Sequence, residues 1–173
     1  MEDLRGRLAT MHLLKPSFEP ELNQNKDRGK PGPSVDEGLL QLCDAGALEG
    51  GLSIAAGVRA DELIGPLTAT AGGSARSLKV LEVRDSPPMI TVQFGGEQHE
   101  LKVESLRALV RRLNDLLAND DAARAIAVLG EWQEALQLWC LDKRSLALLL
   151  QEPFFRPENR RQLTRLSVKA GVR

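Results

Sequence analysis

Two histidines and two cysteines are the residues of this chain best suited to metal binding or catalysis. His12 and His99 lie far apart, and Cys43 and Cys140 each have apolar neighbours. A metal site needs several such ligands at short spacing, and a nucleophilic cysteine needs a nearby base. The sequence has neither pattern. We therefore predict no metal, no cofactor and no catalytic residue, and keep an enzyme with an unrecognised site as an alternative.

Phosphate-binding loops are the next chemistry to consider. Gly95 and Gly96 are adjacent, but alternating apolar residues on both sides predict strands there. A phosphate-binding loop leads into a helix N-terminus, which supplies its N–H groups. We interpret the two glycines as part of a hairpin loop. The acidic pair Asp120 and Asp121 is explained by capping of a helix that would follow.

The apolar stretch "LALLLQEPFF" indicates binding to a protein. Its leucines surround a predicted helix instead of lining one face, so they need cover on several sides. A second subunit or another protein could supply that cover. We predict an interface there. The candidate interface residues are Trp139, Leu146, Leu149, Leu150, Phe154 and Phe155.

The two ends of the chain carry further candidate binding segments. Leu4, Leu8 and Met11 recur at helical spacing and could form a short docking helix, or pack on the domain itself. The segment 156–173 has six basic residues and one acidic residue. Such a basic helix could bind nucleic acid, bind an acidic protein or be solvated. The candidate basic patch is Arg156, Arg160, Arg161, Arg165 and Lys169.

The elements that would position these residues follow from hydrophobic periodicity. Alternation predicts three strands between about 77 and 103, with Ile90 and Val92 in phase with His99 and Leu101. A stripe from Leu106 to Leu117 predicts a helix. Shorter helices are expected at about 35–49 and 122–129, and another begins at Pro157.

The stretch "LGEWQEALQLW", residues 129–139, matches the tetratricopeptide consensus at several positions. No second copy occurs, and such units need about three copies to bury a continuous core. We therefore take only a structural prediction from it, a helix from Trp132 to about Leu150. Residues 52–73 have glycine spacing similar to a helix-turn-helix, but Pro66 and the acidic pair Asp61 and Glu62 oppose DNA reading.

Composition limits the protein class. The chain has 173 residues, 42% of them hydrophobic, and a net charge of −1. These values favour one globular domain, and the scarcity of cysteine and of long apolar runs favours a cytoplasmic protein with no membrane span. The abundance of Arg and Ala is typical of GC-rich bacterial genomes. The Pro- and Gly-rich residues up to 34 predict a disordered linker.

Taken together, the patterns predict an α+β fold. A small antiparallel sheet of about three strands would be followed by a packed helical C-terminal half at about 105–170. Residues 1–34 would form a flexible N-terminal arm and linker, and 35–173 a single domain. The predicted function is a non-enzymatic protein interaction module, an adaptor, regulator or assembly subunit that can self-associate through its C-terminal helices. The alternatives are a nucleic-acid-associated protein and an enzyme.

Overall fold

The computed structural model describes residues 2–18, 35–152 and 157–169. The described helices and strands are α1 (Glu2–Thr10), α2 (Val35–Asp44), β1 (Gly51–Ala55), α3 (Ala60–Ala71), β2 (Lys79–Asp85), β3 (Pro88–Phe94), β4 (Glu97–Lys102), α4 (Leu106–Leu116), β5 (Ala125–Trp132), β6 (Ala135–Leu141), α5 (Lys143–Gln151) and α6 (Pro157–Lys169). Two short 3₁₀ helices cover Pro16–Phe18 and Gly73–Ser77.

A three-stranded antiparallel sheet, in the order β1-β6-β5, is central to the fold. Every residue of β6 is buried, so both faces of this strand are covered. Trp139 and Leu141 belong to one hydrophobic core, and Leu136, Leu138 and Cys140 belong to another. This separation follows from the strand period of two, which sends successive side chains to opposite faces.

Helices cover both faces of the central sheet. Residues of α1, α2, α5 and α6 contribute to the core that contains Trp139. On the opposite face, α3 contacts β6 and β2, and α4 contacts β5 and β4. These two helices therefore lie between the central sheet and a second antiparallel sheet, whose order is β2-β3-β4.

The second sheet confirms the predicted strands between 77 and 103. Ile90 pairs with Leu101 and Val92 pairs with His99, so these side chains lie in the predicted phase, although the loop is shorter than the expected residues 95–98. The loop between β3 and β4 is the two residues Gly95 and Gly96, both with positive φ. A turn of two such residues matches the twist of a hairpin. The helix predicted from Leu106 is also confirmed, with Ser105 capping it by accepting from the Ala108 N–H.

The predicted helical C-terminal half is wrong. Strands and helices alternate along the chain, and the stretch expected to contain two helices is the hairpin of β5 and β6. Gln133 and Glu134 have φ of 48° and 62° and form its two-residue turn. The helix predicted at 122–129 is also wrong, because most of this segment belongs to β5. A strand buried on both faces has no alternation of apolar and polar residues, so its apolar run resembles that of a buried helix.

The prediction of a flexible N-terminal arm is wrong for the residues described before the linker. Leu8 is fully buried, Leu4 and Leu14 are nearly so, and Leu14 forms an isolated bridge with Leu48. The segment therefore belongs to the same core as α2 and Trp139. The predicted linker at residues 19–34 lies outside the described part of the chain. Residues 51–55, within the helix-turn-helix-like segment, form a strand.

Candidate interaction surface

The predicted interface residues of the C-terminal helices lie mostly inside the protein. Trp139, Leu146 and Leu149 have no exposed surface, and Leu150 is half-buried against the same core. The Trp139 indole N–H donates to the Glu49 carbonyl at 2.9 Å. The chain itself therefore covers these side chains. The remaining two candidates, Phe154 and Phe155, lie outside the described residues.

The candidate docking residues of the N-terminus are also packed against the rest of the chain. Leu4 and Leu8 contribute to the core, and Met11 packs against its border. Their docking partner in this structure is the rest of the chain, which is the second of the two interpretations that the sequence allowed.

Of the candidate basic residues that the structure describes, one bonds to the end of a helix and two are exposed to solvent. Arg160 donates to the carbonyls of Leu150 and Glu152 at 2.6 and 3.3 Å, and so satisfies the end of α5. Arg161 and Arg165 are exposed one turn apart on α6. Arg156 and the side chain of Lys169 lie outside the described part of the structure.

The cysteines and histidines are dispersed. Burial raises the pKa of the Cys43 thiol to about 11 and that of Cys140 to about 12, which keeps both thiols neutral. His12 is exposed in a turn, and His99 lies on β4. Among residues 2–18, 35–152 and 157–169, no three His, Cys, Asp or Glu side chains form a group that could hold a metal ion.

The outer edge of β5 is closed by two amide side chains. Asn114 of α4 accepts from the Ile126 N–H and donates to the Ile126 carbonyl, each at 2.8 Å. Gln162 of α6 makes the same pair of bonds to Val128, at 2.8 and 2.9 Å. Each amide takes the place that a neighbouring strand would occupy. The backbone groups that β5 turns away from β6 at Ile126 and Val128 are therefore satisfied from both sides of the sheet.

The strand β2 is an edge strand that is exposed to solvent along its whole length. All seven of its residues are exposed. Among the described residues, four large apolar side chains are exposed, and three of them lie on this strand. They are Val80, Leu81 and Val83, with exposures of 38%, 47% and 36%. Apolar side chains on an exposed strand edge are unusual, because such an edge can pair with another chain.

The direction of the β2 backbone groups follows from one hydrogen bond in the adjoining strand. The Val103 N–H donates to the Pro88 carbonyl at 3.1 Å, so Pro88 turns its backbone groups towards β4. Alternate residues of a strand bond to opposite neighbours, so Met89 and Thr91 turn theirs towards β2. Their partners, Arg84 and Glu82, therefore face β3.

Val83 lies between these two residues and has the opposite direction. Its N–H and carbonyl point away from β3, towards the open edge of the sheet. We call the seven residues Lys79–Asp85, with this free side, the open edge. An extended chain could hydrogen-bond to the open edge and extend the sheet by one strand.

The outer face of this sheet carries a row of charges beside the open edge. Arg84 contacts Glu82 at 3.4 Å within its own strand, and it donates to Glu100 at 2.8 Å. Thr91 lies between the two carboxylates in the strand register and is nearly buried. An incoming strand would therefore meet alternating acidic and basic groups on this face and valine on the other.

A shallow groove beside the turn between β5 and β6 is a weaker candidate for a binding surface. Ala55, Leu106 and Leu136 line it, and the ion pair between Arg107 and Glu131 borders it at 3.4 Å. Both charges in that pair are already balanced by each other. Glu134 is the one further charged side chain of the lining, so the groove combines a mostly apolar surface with a single isolated carboxylate.

The sequence reasoning missed the open edge, although a signal was present. The segment "LKVLEV" has apolar side chains on both faces, a pattern that also predicts a strand covered on both sides. The fold supplies little cover, because β2 lies at the end of a three-stranded sheet. An edge strand and an inner strand of this kind share one sequence pattern.

Comparison with known proteins gives no functional assignment. No family model matches the chain, and no curated protein or solved structure is significantly similar to it. Among the described helices, none has the length and apolar character that crossing a membrane requires.

Proposed function

We propose that this protein is a non-enzymatic interaction module that binds protein through the open edge. The observation that supports the proposal is the concentration of exposed apolar side chains on β2, whose backbone groups also point outwards at Val83. Backbone hydrogen bonds to such an edge supply affinity, and side chains on alternate faces supply specificity.

The arrangement of the rest of the molecule supports this choice of surface. Leu146, Leu149 and the indole of Trp139 are buried by the chain itself, so they are not accessible to a partner. The edge of β5 is bonded to Asn114 and Gln162. The β2 strand has neither form of cover. A protein exposes apolar groups in this way at a cost in solubility, which a binding role explains.

Site-specific photo-cross-linking in the native cells tests the proposal. A photoreactive phenylalanine analogue replaces Leu81 in one version of the protein and Val168 in a control version. Val168 is a matched control because it is apolar and even more exposed, at 69%, but lies on α6. We expect a discrete cross-linked protein species from position 81 and none from position 168. No species from position 81, or equal yields from the two positions, would contradict the proposal.

A nucleic-acid role is the second candidate, and the exposed pair Arg161 and Arg165 supports it. Two cations one turn apart can contact successive phosphates, but such binding weakens steeply with salt. A gel shift with random-sequence DNA tests this candidate at two salt concentrations. Binding that weakens with salt and falls on Arg161→Ala/Arg165→Ala substitution would support it. The absence of a shift at low salt would exclude it.

A further inference from the structure

The open edge has a feature that selects its occupant, and this step rests on the proposed function. The residues of β2 read Lys-Val-Leu-Glu-Val-Arg-Asp, so a glutamate and an arginine flank Val83. The strand therefore carries opposite charges on the two sides of its outward-facing residue. A second strand of the same sequence, running antiparallel, would present the same charges in reverse order.

Geometry restricts how two copies of β2 can pair. Val83 has outward-facing backbone groups, whereas Glu82 and Arg84 face β3. In an antiparallel pair about a twofold axis, outward-facing residues must exchange the hydrogen bonds. A bulge between Val80 and Glu82 interrupts the regular strand, so a regular pair is limited to Glu82–Asp85. The axis therefore passes through Val83 or Asp85 as a hydrogen-bonded pair, or through Glu82 or Arg84 as a non-hydrogen-bonded pair.

Charge distinguishes these four registers. An axis through Glu82 places two glutamates opposite each other, an axis through Arg84 does the same with two arginines, and an axis through Asp85 with two aspartates. Like charges in directly opposed positions are destabilising. An axis through Val83 instead places Glu82 opposite Arg84 of the second copy, twice. These are non-hydrogen-bonded pairs, in which the side chains approach most closely.

The other face of the strand favours the same register. Val83 pairs with the buried Ile90 of β3, so its side chain points to the face that packs on α3 and α4. It is nevertheless 36% exposed. With the axis through Val83, the two valines lie side by side in a hydrogen-bonded pair, and each removes apolar surface of the other from water.

We propose that a second copy of this chain occupies the open edge, with β2 antiparallel to β2 and Val83 on the twofold axis. The β2-β3-β4 sheets of the two copies, the outer sheets of the dimer, then form one continuous six-stranded sheet. One pair of strands buries less area than the roughly 1,200–2,000 Å² of a stable dimer. We therefore expect reversible association at concentrations of roughly 10–500 µM, a range typical of weak interfaces.

A charge-reversal experiment tests both the surface and the register. Glu82→Arg places arginine opposite Arg84 of the second copy, and Arg84→Glu places glutamate opposite Glu82. We expect each variant to be monomeric in sedimentation equilibrium up to at least about 500 µM, a loss of association of tenfold or more from the repulsion of two opposed pairs. An equimolar mixture of the two variants restores both pairs of opposite charges. We expect the mixture to dimerise at least as well as the unaltered chain.

The mixture separates an interface from a folding defect, since two misfolded variants would not restore each other. Far-UV circular dichroism and thermal unfolding provide the check on each variant alone. Val168→Arg, on α6, is the matched control for an added surface charge, and its association should be unchanged. Dimers that persist in both single variants, or a mixture that stays monomeric, would overturn the proposal.

Concentration-dependent hydrogen exchange supplies a second test with the unaltered chain. Dimerisation would protect the Val83 amide, so its exchange rate at 500 µM should fall at least about threefold relative to 10 µM as the dimer becomes populated. The Ile126 amide, already bonded to Asn114, should exchange equally at both concentrations. A Val83 rate that is independent of concentration would overturn the self-pairing.

The outcomes keep this inference distinct from the proposed function. A chain that remains monomeric but forms a cross-link from position 81 to a different protein would overturn self-pairing and support the interaction module. A monomer without any cross-link from position 81 would overturn both. A cross-link between two copies would support both.

Discussion

The strands β5 and β2 are both edge strands, but the helices of the protein bond to the edge of β5 and leave the edge of β2 open. Each is the last strand of a three-stranded antiparallel sheet, and each has backbone groups with no neighbouring strand. At β5, side-chain amides from two helices bond to Ile126 and Val128. At β2, all seven residues are exposed and the N–H of Val83 points outwards. The difference teaches that closing an edge requires helices positioned beside it.

Amide hydrogen exchange should show the largest difference between the two edges. The amides of Ile126 and Val128 are bonded to Asn114 and Gln162, so their exchange requires opening of that structure. At concentrations near 10 µM, we expect them to exchange at least about 1,000-fold more slowly than the Val83 amide after correction for intrinsic rates. NMR exchange in D₂O measures this. A protected Val83 at low concentration would contradict the description of an open edge.

Removing the buried amide should destabilise the closed edge most. Asn114→Leu keeps a similar volume but leaves the N–H and carbonyl of Ile126 without their partners. Each unsatisfied buried group costs about 1–3 kcal/mol, so for the two groups we expect the free energy of unfolding to fall by about 2–6 kcal/mol. Urea unfolding measures it. Arg111→Ala, on the exposed side of the same helix, is the control and should change stability by less than about 0.5 kcal/mol.

The second amide lies nearer to solvent and should contribute less. Gln162→Ala removes both bonds to Val128, but water can reach part of the vacated site because Gln162 is only half-buried. We expect a loss of about 1–2 kcal/mol in urea unfolding. Arg161→Ala, on the same helix and exposed, should differ from the unaltered chain by less than about 0.5 kcal/mol. Equal losses in the two variants would show that Gln162 has no special role at this edge.

The buried thiols of α2 and β6 give the stability of the fold a dependence on pH. Burial raises the pKa of Cys43 to about 11 and of Cys140 to about 12, from 9.0. The unfolded chain starts to ionise its thiols near pH 9 while the folded chain keeps them neutral. The stability from the neutral thiols is therefore complete below pH 9 and is lost as the pH rises towards 11 and 12.

The measurement compares urea unfolding at pH 7.5 and pH 9.0 in two proteins. We expect the unaltered chain to lose roughly 1 kcal/mol more over this interval than the Cys43→Ala/Cys140→Ala variant. Using the change between two pH values removes the direct effect of the substitutions on packing. The same loss in both proteins would show that the thiols are not responsible.

Substitution at the open edge should have the smallest effect on folding. Leu81→Ser removes a side chain that is 47% exposed, so little burial is lost. We expect the free energy of unfolding to change by less than about 0.5 kcal/mol when measured at a low protein concentration. A loss above about 1.5 kcal/mol would mean that Leu81 serves the core of this chain.

The success of the sequence predictions depended on how many faces of an element are covered. The outer sheet and α4 were found because each has one apolar and one polar side, which gives a readable period. The strand β6 was missed, since its two buried faces make "ALQLWCL" apolar at every position except Gln137. The likeness to a tetratricopeptide unit added to that error by favouring a helix.

Hydrophobic periodicity could not identify the binding surfaces, because it does not show which elements pack together. The leucines of α5 surround the helix, as predicted, but the core that buries Leu146 and Leu149 also contains residues of α1, α2 and α6. Val80 and Val83 resemble core residues in sequence and are exposed in the fold. Burial of an apolar side chain is decided by which element packs on it, and the side chain's own identity does not specify that element.

The sequence by itself determined the local elements: the phase of the side chains in β3 and β4, the start of α4 at Ser105 and the start of α6 at Pro157. These follow from side-chain alternation, capping and the fixed φ of proline, all of which act between near neighbours. The tertiary structure alone decided that Asn114 and Gln162 close the edge of β5 and that β2 remains open. Those outcomes depend on long-range packing, which brings α4 and α6 beside one strand and leaves the other at the end of its sheet.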